Sequence, residues 1–136
     1  MKVRDVLSRD VQVARPGDSL QQVAMRMRDG DFGFMPVADG DRLVGTITDR
    51  DVCIRGIAEG AASSAPVVEY ITRDPHTARA DDDLKTVLET MGSRQIRRMP
   101  VLDKDDRLVG VVSLGDLSTR VKEKYAGEAL EDISRP

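Results

Sequence analysis

Residues 45–51, GTITDRD, return 65 residues later as GVVSLGD at 110–116, and the likeness extends well beyond them. At an offset of 64, residues 7–39 lie over 71–103. After one extra residue in the second copy, 41–52 lie over 106–117. Arg9-Asp10 meets Arg73-Asp74, Ala14-Arg15 meets Ala78-Arg79, and Asp18, Leu20, Val23 and Met27 meet Asp82, Leu84, Val87 and Met91. Met35-Pro36-Val37 meets Met99-Pro100-Val101, and the five residues 41–45, DRLVG, recur unchanged at 106–110. A solenoid needs about three or more repeats, so two copies in a 136-residue chain describe a compact pseudo-symmetric pair.

Within one copy the periodicities alternate between helix and strand. Val3, Val6 and Leu7 mark a short helical turn, and a brief strand follows near 11–13. Asp18-Ser19 caps a helix carrying Leu20, Val23, Ala24 and Met27 at helical spacing, which Gly30 and Gly33 end. Residues 34–38 read as a strand, 39–41 as a hairpin turn and 43–48 as the return strand. A second helix opens at Thr48 and carries Val52, Ile54, Ile57 and Ala58. The second copy repeats this order with a turn at 67–71, a strand near 76–78, a helix from Asp82-Asp83, strands at 98–102 and 108–112, and a helix over 114–124. Residues 60–66, GAASSAP, are small and flexible in composition and join the copies. The organisation expected is a first motif at 1–60, a linker at 61–66, a second motif at 67–124 and a loose or partner-contacting tail at 125–136. The fold class is α/β of the α+β kind: two β-α-β-β-α units, each with helices on one face of a three-stranded sheet, packed face to face.

Composition narrows the function. A net charge of −3 offers no attraction to phosphate polymers, and two Phe, two Tyr and no Trp leave little to stack bases, so nucleic acid is not an expected partner. No apolar run approaches the ~20 residues that span a bilayer, so no membrane is expected either. One cysteine excludes an internal disulfide, and MKVRDVLSRD at 1–10 lacks signal or transit character; both point to the cytoplasm. No Ser–His–Asp, Cys–His or metal set can be assembled from one His and one Cys, so no enzyme is expected and neither metal nor required cofactor. His76 reads as a partly buried polar residue at a strand entrance, and Cys53, between Val52 and Ile54, as a small buried hydrophobe.

The repeated segment has two chemical readings. Thr48 or Ser113 at a helix N-cap bonds the amide three residues on, and Asp51 or Asp116 returns a bond to the cap's own amide. The same hydroxyl, carboxylate and loose amides also form a polar mouth for a ligand rich in hydroxyls or phosphate. Spacing alone leaves both open.

With both G-x-x-[ST]-x-x-D segments, both Met-Pro-Val strands and the strand–helix order recurring in register, the chain from residue 2 to about 120 resembles paired CBS domains, named after cystathionine β-synthase. Residues 49–60, DRDVCIRGIAEG, further resemble the small stand-alone two-CBS proteins of bacteria. The resemblance implies a regulatory module with two clefts between its units, binding AMP, ADP or ATP. It implies that Asp51 and Asp116 hold ribose hydroxyls, with Thr48 and Ser113 beside the sugar or phosphate. A carboxylate suits a cis diol because it accepts two hydrogen bonds. The backbone at Val13 and Thr77 would meet the adenine edge, and Met35 and Met99 would wall the base. Arg97-Arg98 would meet phosphate, or else form a solvated strand entrance; the first copy has Gly33-Phe34 there, so its cleft lacks the cations.

The resemblance also implies a homodimer formed through helices, with Val52, Ile54, Ile57, Leu117 and Val121 as candidates for the shared face or the core, and an unidentified regulated protein as a further partner. The alternative is a stress-related structural dimer whose clefts stay empty and whose Thr/Ser-x-x-Asp segments only cap helices.

Overall fold

The computed structural model describes residues 1–115, Leu117 and Ile133. Asp116, Val121 and nearly all of the expected last helix and tail lie outside the described residues. Two compact units emerge, one from Gln12–Pro75 and the other from Met1–Val11 with the chain from His76 onward. Each holds a three-stranded sheet, and with the helices this is the α+β architecture expected.

In the first unit, α1 (Leu20–Gly30) starts at Ser19, whose hydroxyl accepts from the Gln22 amide while the Gln22 side chain accepts from the Ser19 amide. Leu20, Val23 and Met27 form its buried stripe. β1 (Phe34–Asp39) and β2 (Arg42–Thr48) make the expected antiparallel hairpin, turning at Gly40 with φ +62°. β3 (Thr72–Arg73) adds to β2. The strand expected near 11–13 is only a parallel bridge from Ala14 to Val37.

The second unit repeats this with β4 (Ala78–Arg79) parallel to β5 (Arg98–Leu102), β6 (Leu108–Ser113) antiparallel to β5, and α2 (Leu84–Arg94) capped by Asp83. Both hairpins carry a register shift at the same place, after Val37 and after Val101.

The compact units are not the sequence copies 1–60 and 67–124, because each copy's leading segment completes the sheet and core that the other copy builds. Ala65 carbonyl accepts from the Leu20 amide at 3.0 Å, and Met1 carbonyl from the Leu84 amide at 2.9 Å. Val67 donates to Asp18 carbonyl as Val3 donates to Asp82, and Val68 donates to Pro16 as Arg4 donates to Ala80. These bonds occupy amides and carbonyls around each helix start that would otherwise be orphaned. Val3, Val6 and Leu7 are consequently buried with Leu84 and Met91, while Val67 and Ile71 are buried with Leu20 and Met35.

The repeated glycines make that exchange possible. A Cβ on Gly45 would overlap the Thr72 carbonyl, and one on Gly110 the Ser8 carbonyl. Only a bare backbone lets β3 and the Ser8 bridge approach β2 and β6 so closely. The flexible-looking 60–66 stretch is likewise tied down, since Ser63 and Ala65 carbonyls accept from Gln21 and Leu20 amides. Ile133, in the expected tail, is buried in the second core.

After β2 the chain does not continue as one regular α-helix. It makes a short α-turn, widens into a π-helix at Asp51–Gly56 and tightens into a 3-10 turn at Ile57–Glu59. Gly56 is buried against Leu20, and Val52 packs on the first core. Ile54 and Ile57 stay 49% and 56% exposed, whereas Leu117 is fully buried. Cys53 is exposed, contrary to the buried role expected of it, because this segment turns Gly56 rather than Cys53 inward. His76 is exposed as well.

Candidate functional site

The helix start after β2 realises the reciprocal cap. Asp51 amide donates to Thr48 Oγ1 at 3.1 Å, and Thr48 amide donates to Asp51 Oδ2 at 3.0 Å. Asp51 Oδ1 lies 3.6 Å from Arg55 Nε, and Arg55 also donates to the Ile71 carbonyl at 3.2 Å. Thr48 and Asp51 are both half-buried, so this cluster sits at the surface of its unit with lone pairs remaining on both carboxylate oxygens.

The strand beside it supplies the other wall. Phe34 stands opposite Thr48 in the β1–β2 register, and Asp49 amide donates to the Gly33 carbonyl at 3.0 Å. The Asp49 carboxylate rests directly on Gly33, where an added Cβ would lie 2.8 Å from Oδ2. Arg50 amide donates to Asp49 Oδ1 at 2.9 Å, which orients the carboxylate.

The second unit uses the same backbone with different side chains. Arg98 stands opposite Ser113, and Leu114 amide donates to the Arg97 carbonyl at 3.1 Å. Arg97 and Arg98 are exposed, and among the described residues neither forms an ion pair. Directly opposite residues of an antiparallel pair hold their Cβ atoms about 5 Å apart, so Arg98 starts within reach of anything that Ser113 contacts. Asp116, the expected ribose ligand here, lies outside the described residues.

The remaining expected contacts divide. Val13 is half-buried, and its carbonyl accepts from Arg26 Nη2 at 3.1 Å while Arg26 Nε donates to Gln12 at 2.9 Å. Thr90 replaces Arg26 in the second copy and donates within its own helix to the Thr86 carbonyl. Thr77 is exposed. Met35 and Met99 are 0% and 2% exposed, members of the two cores. Arg26 at Val13 and Asp49 over Gly33 are features that sequence reasoning missed. The signal for Asp49 was present, since its partner in the repeat is Leu114 while the partner of Gly33 is Arg97.

Outside these helix starts, a surface depression of about 670 Å³ in the second unit is lined by Arg79, Asp81, Asp82, Asp103, Lys104 and Arg107, with Ala80 and Asp105. Its two arginines are already paired, Arg79 with Asp106 and Arg107 with both Asp103 and Asp105. The Arg107 amide, bonded to the Asp103 carboxylate, holds that carboxyl below the usual carboxylate range, with the Asp105 amide and the Arg107 guanidinium adding to it. Among the described residues no group of three or more His, Cys, Asp or Glu is placed to hold a metal ion, and no helix is long and apolar enough to cross a membrane.

Known proteins resemble this arrangement throughout its length. The model of the CBS domain family matches residues 3–55 and again 67–123. An uncharacterized Bacillus subtilis protein, YlbB, is 39% identical over 136 residues, covering 98% of this chain and 91% of its own. Hypoxic response protein 1 of Mycobacterium tuberculosis is 31% identical over 135 residues, covering 98% of this chain and 94% of its own. The crystal structure of Hypoxic Response Protein I, with two coordinated zinc ions, superposes with a TM-score of 0.80 over 90% of this chain and 100% of that one. The CBS domain pair of protein MJ0100, in complex with 5′-methylthioadenosine and S-adenosyl-L-methionine, superposes with a TM-score of 0.74 at 28% identity, covering 88% of this chain and 98% of that one.

Proposed function

Since this chain belongs to the CBS-domain family, as a regulatory pair of such domains, we propose that it is a non-catalytic cytoplasmic sensor of adenosine nucleotides. AMP, ADP or ATP binds at the helix starts, with Thr48 and Asp51 in one unit and Ser113 and Asp116 in the other taking the ribose. Arg97 and Arg98 take the phosphate. Occupancy favours one arrangement of the protein by its difference in affinity between states, and that bias passes to a second copy or to a regulated protein. Exposed Ile54 and Ile57 are the apolar surface offered to the second copy.

The observation that carries this reading is Arg98 in register with Ser113, next to Arg97 whose carbonyl accepts from the Leu114 amide, which brings an exposed basic pair to the strand beside a helix start. Guanidinium binds phosphate through two parallel hydrogen bonds, and a hydroxyl can add a third. An adenosine-ligated CBS pair among its structural relatives supports the base and ribose half of the ligand.

Calorimetric titration of the full chain with AMP, ADP and ATP tests the reading. Saturable heat that falls at least about tenfold in affinity on replacing Arg97 and Arg98 together by Ala supports it, and silence with all three nucleotides overturns it. One observation favours the second reading, a structural dimer with empty mouths: Asp51 already serves Thr48 and Arg55, as a purely capping residue would. That reading stands if nucleotide leaves the melting temperature unmoved.

A further inference from the structure

We infer that the two helix starts sort adenosine ligands by the charge they carry at the ribose 5′ end, and that Asp49 is the residue that turns phosphate away from the first. This rests on the adenosine reading above and adds a ligand class to each mouth. The backbone frames coincide: Gly33 carbonyl accepts from Asp49 amide, and Arg97 carbonyl from Leu114 amide, at 3.0 and 3.1 Å. The side chains on that frame are exchanged together. Where the second unit has an exposed arginine whose carbonyl meets the Leu114 amide, the first has no side chain at all and a carboxylate laid over the vacant Cα, with Oδ2 2.8 Å from where a Cβ would stand.

The opposite strand position repeats the contrast, with Phe34 across from Thr48 and Arg98 across from Ser113. The strand leading to the second mouth therefore carries two exposed cations at its start, and that of the first carries none. Cations do occur on the helix side of the first mouth, and one is committed: Arg55 is spent on Asp51 and the Ile71 carbonyl. Arg50 is exposed, and its amide holds the Asp49 carboxylate in place.

A phosphate brought to the first mouth meets the exposed Asp49 carboxylate held over Gly33, and at low ionic strength the two like charges repel. An adenosine whose 5′ substituent is uncharged or cationic meets no such penalty, and Phe34 offers it apolar contact. The second mouth has the reverse preference. The chain thus reads two ligands of one chemical family, a phosphorylated and an unphosphorylated adenosine.

The test uses the full chain, titrated calorimetrically at low ionic strength with AMP and with 5′-methylthioadenosine, on wild type and four variants. Wild type is expected to take one AMP per chain, lost on replacing Arg97 and Arg98 together by Ala, and to bind 5′-methylthioadenosine at a mouth that Asp51→Ala weakens. Asp49→Asn, which keeps the hydrogen-bond acceptor and removes the charge, should raise AMP affinity relative to 5′-methylthioadenosine at that mouth by about tenfold. The combined change Gly33→Arg with Asp49→Leu, checked for a normal melt, should produce a second AMP site.

Two equal AMP sites in wild type would overturn the inference. So would an unchanged ratio of AMP to 5′-methylthioadenosine in Asp49→Asn while both compounds still bind, and in that case the adenosine reading survives. If neither compound binds any form of the protein, the adenosine reading falls and this inference with it.

Discussion

In the first unit the Leu20 amide finds the Ala65 carbonyl, and in the second the Leu84 amide finds that of Met1; bond after bond around the helix starts, the backbones correspond. At the far ends of the hairpins that correspondence ends in chemistry, because Gly33 under Asp49 in one unit becomes Arg97 beside Leu114 in the other. The backbone pattern is held by constraints that both copies share: a bare Gly45 or Gly110 for close strand approach, a polar cap before each helix, and a leading segment supplied by the other copy. The exposed side chains at the mouths face no such constraint, so they were free to diverge. Duplication of this kind yields one scaffold carrying two chemically different surfaces.

The correspondence breaks hardest where it is buried. Leu7→Ala removes a side chain that is 5% exposed in the second core, and Ile71→Ala does the same in the first. Each should cost about 2–5 kcal/mol by the rule for truncated core residues. Leu7 lies in the first sequence copy and Ile71 in the second, so hydrogen exchange should report loosening in the opposite copy each time. Loosening confined to the residue's own copy would contradict the exchange of leading segments.

A smaller effect sharpens the contrast between capping and binding. Asp51→Ala removes the bond to the Thr48 amide and should lower stability by about 1 kcal/mol, read from a denaturant melt. Restoring the acceptor with Asp51→Asn should recover part of that loss. If Asp51 also holds ribose, the variant loses nucleotide-induced stabilisation as well, which a cap alone does not explain.

The smallest effect concerns Asp103. Its carboxyl is held below the ordinary value, first by the Arg107 amide, so it binds its proton less readily folded than unfolded. The contribution is present above the unfolded carboxylate value near pH 4 and is lost as pH falls through the lower folded value. Asp103→Asn should therefore trail wild type by a small constant margin at neutral pH, and the two acid melts should converge below about pH 4. Parallel melts throughout would show that the turn's hydrogen bonds do not depend on that charge.

Much of the scaffold was legible in the sequence because it is written twice. Ser19, Asp83 and Thr48 declared helix starts, Asp39-Gly40-Asp41 declared a turn, and the two DRLVG strands lie where periodicity placed them. The exchange of leading segments was not legible, since Val3 and Val67 are equally apolar and pattern does not say which core either fills. The π-helix at Asp51–Gly56 was hidden for a similar reason, because Val52, Ile54 and Ile57 fit helical spacing while Gly56 supplies the contact to Leu20. The reciprocal cap of Thr48 and Asp51 was legible as a motif, whereas the contact of Asp49 with Gly33 showed only once its carboxylate was seen lying there.

The central claim is that the second mouth recognises the phosphate of an adenosine nucleotide, and titration of AMP into the full chain before and after replacing Arg97 and Arg98 by Ala addresses it most directly. Saturable binding in wild type that weakens at least about tenfold in the double variant, with the melting temperature of the free protein unchanged, is the result expected. AMP binding of equal strength in both proteins would contradict it.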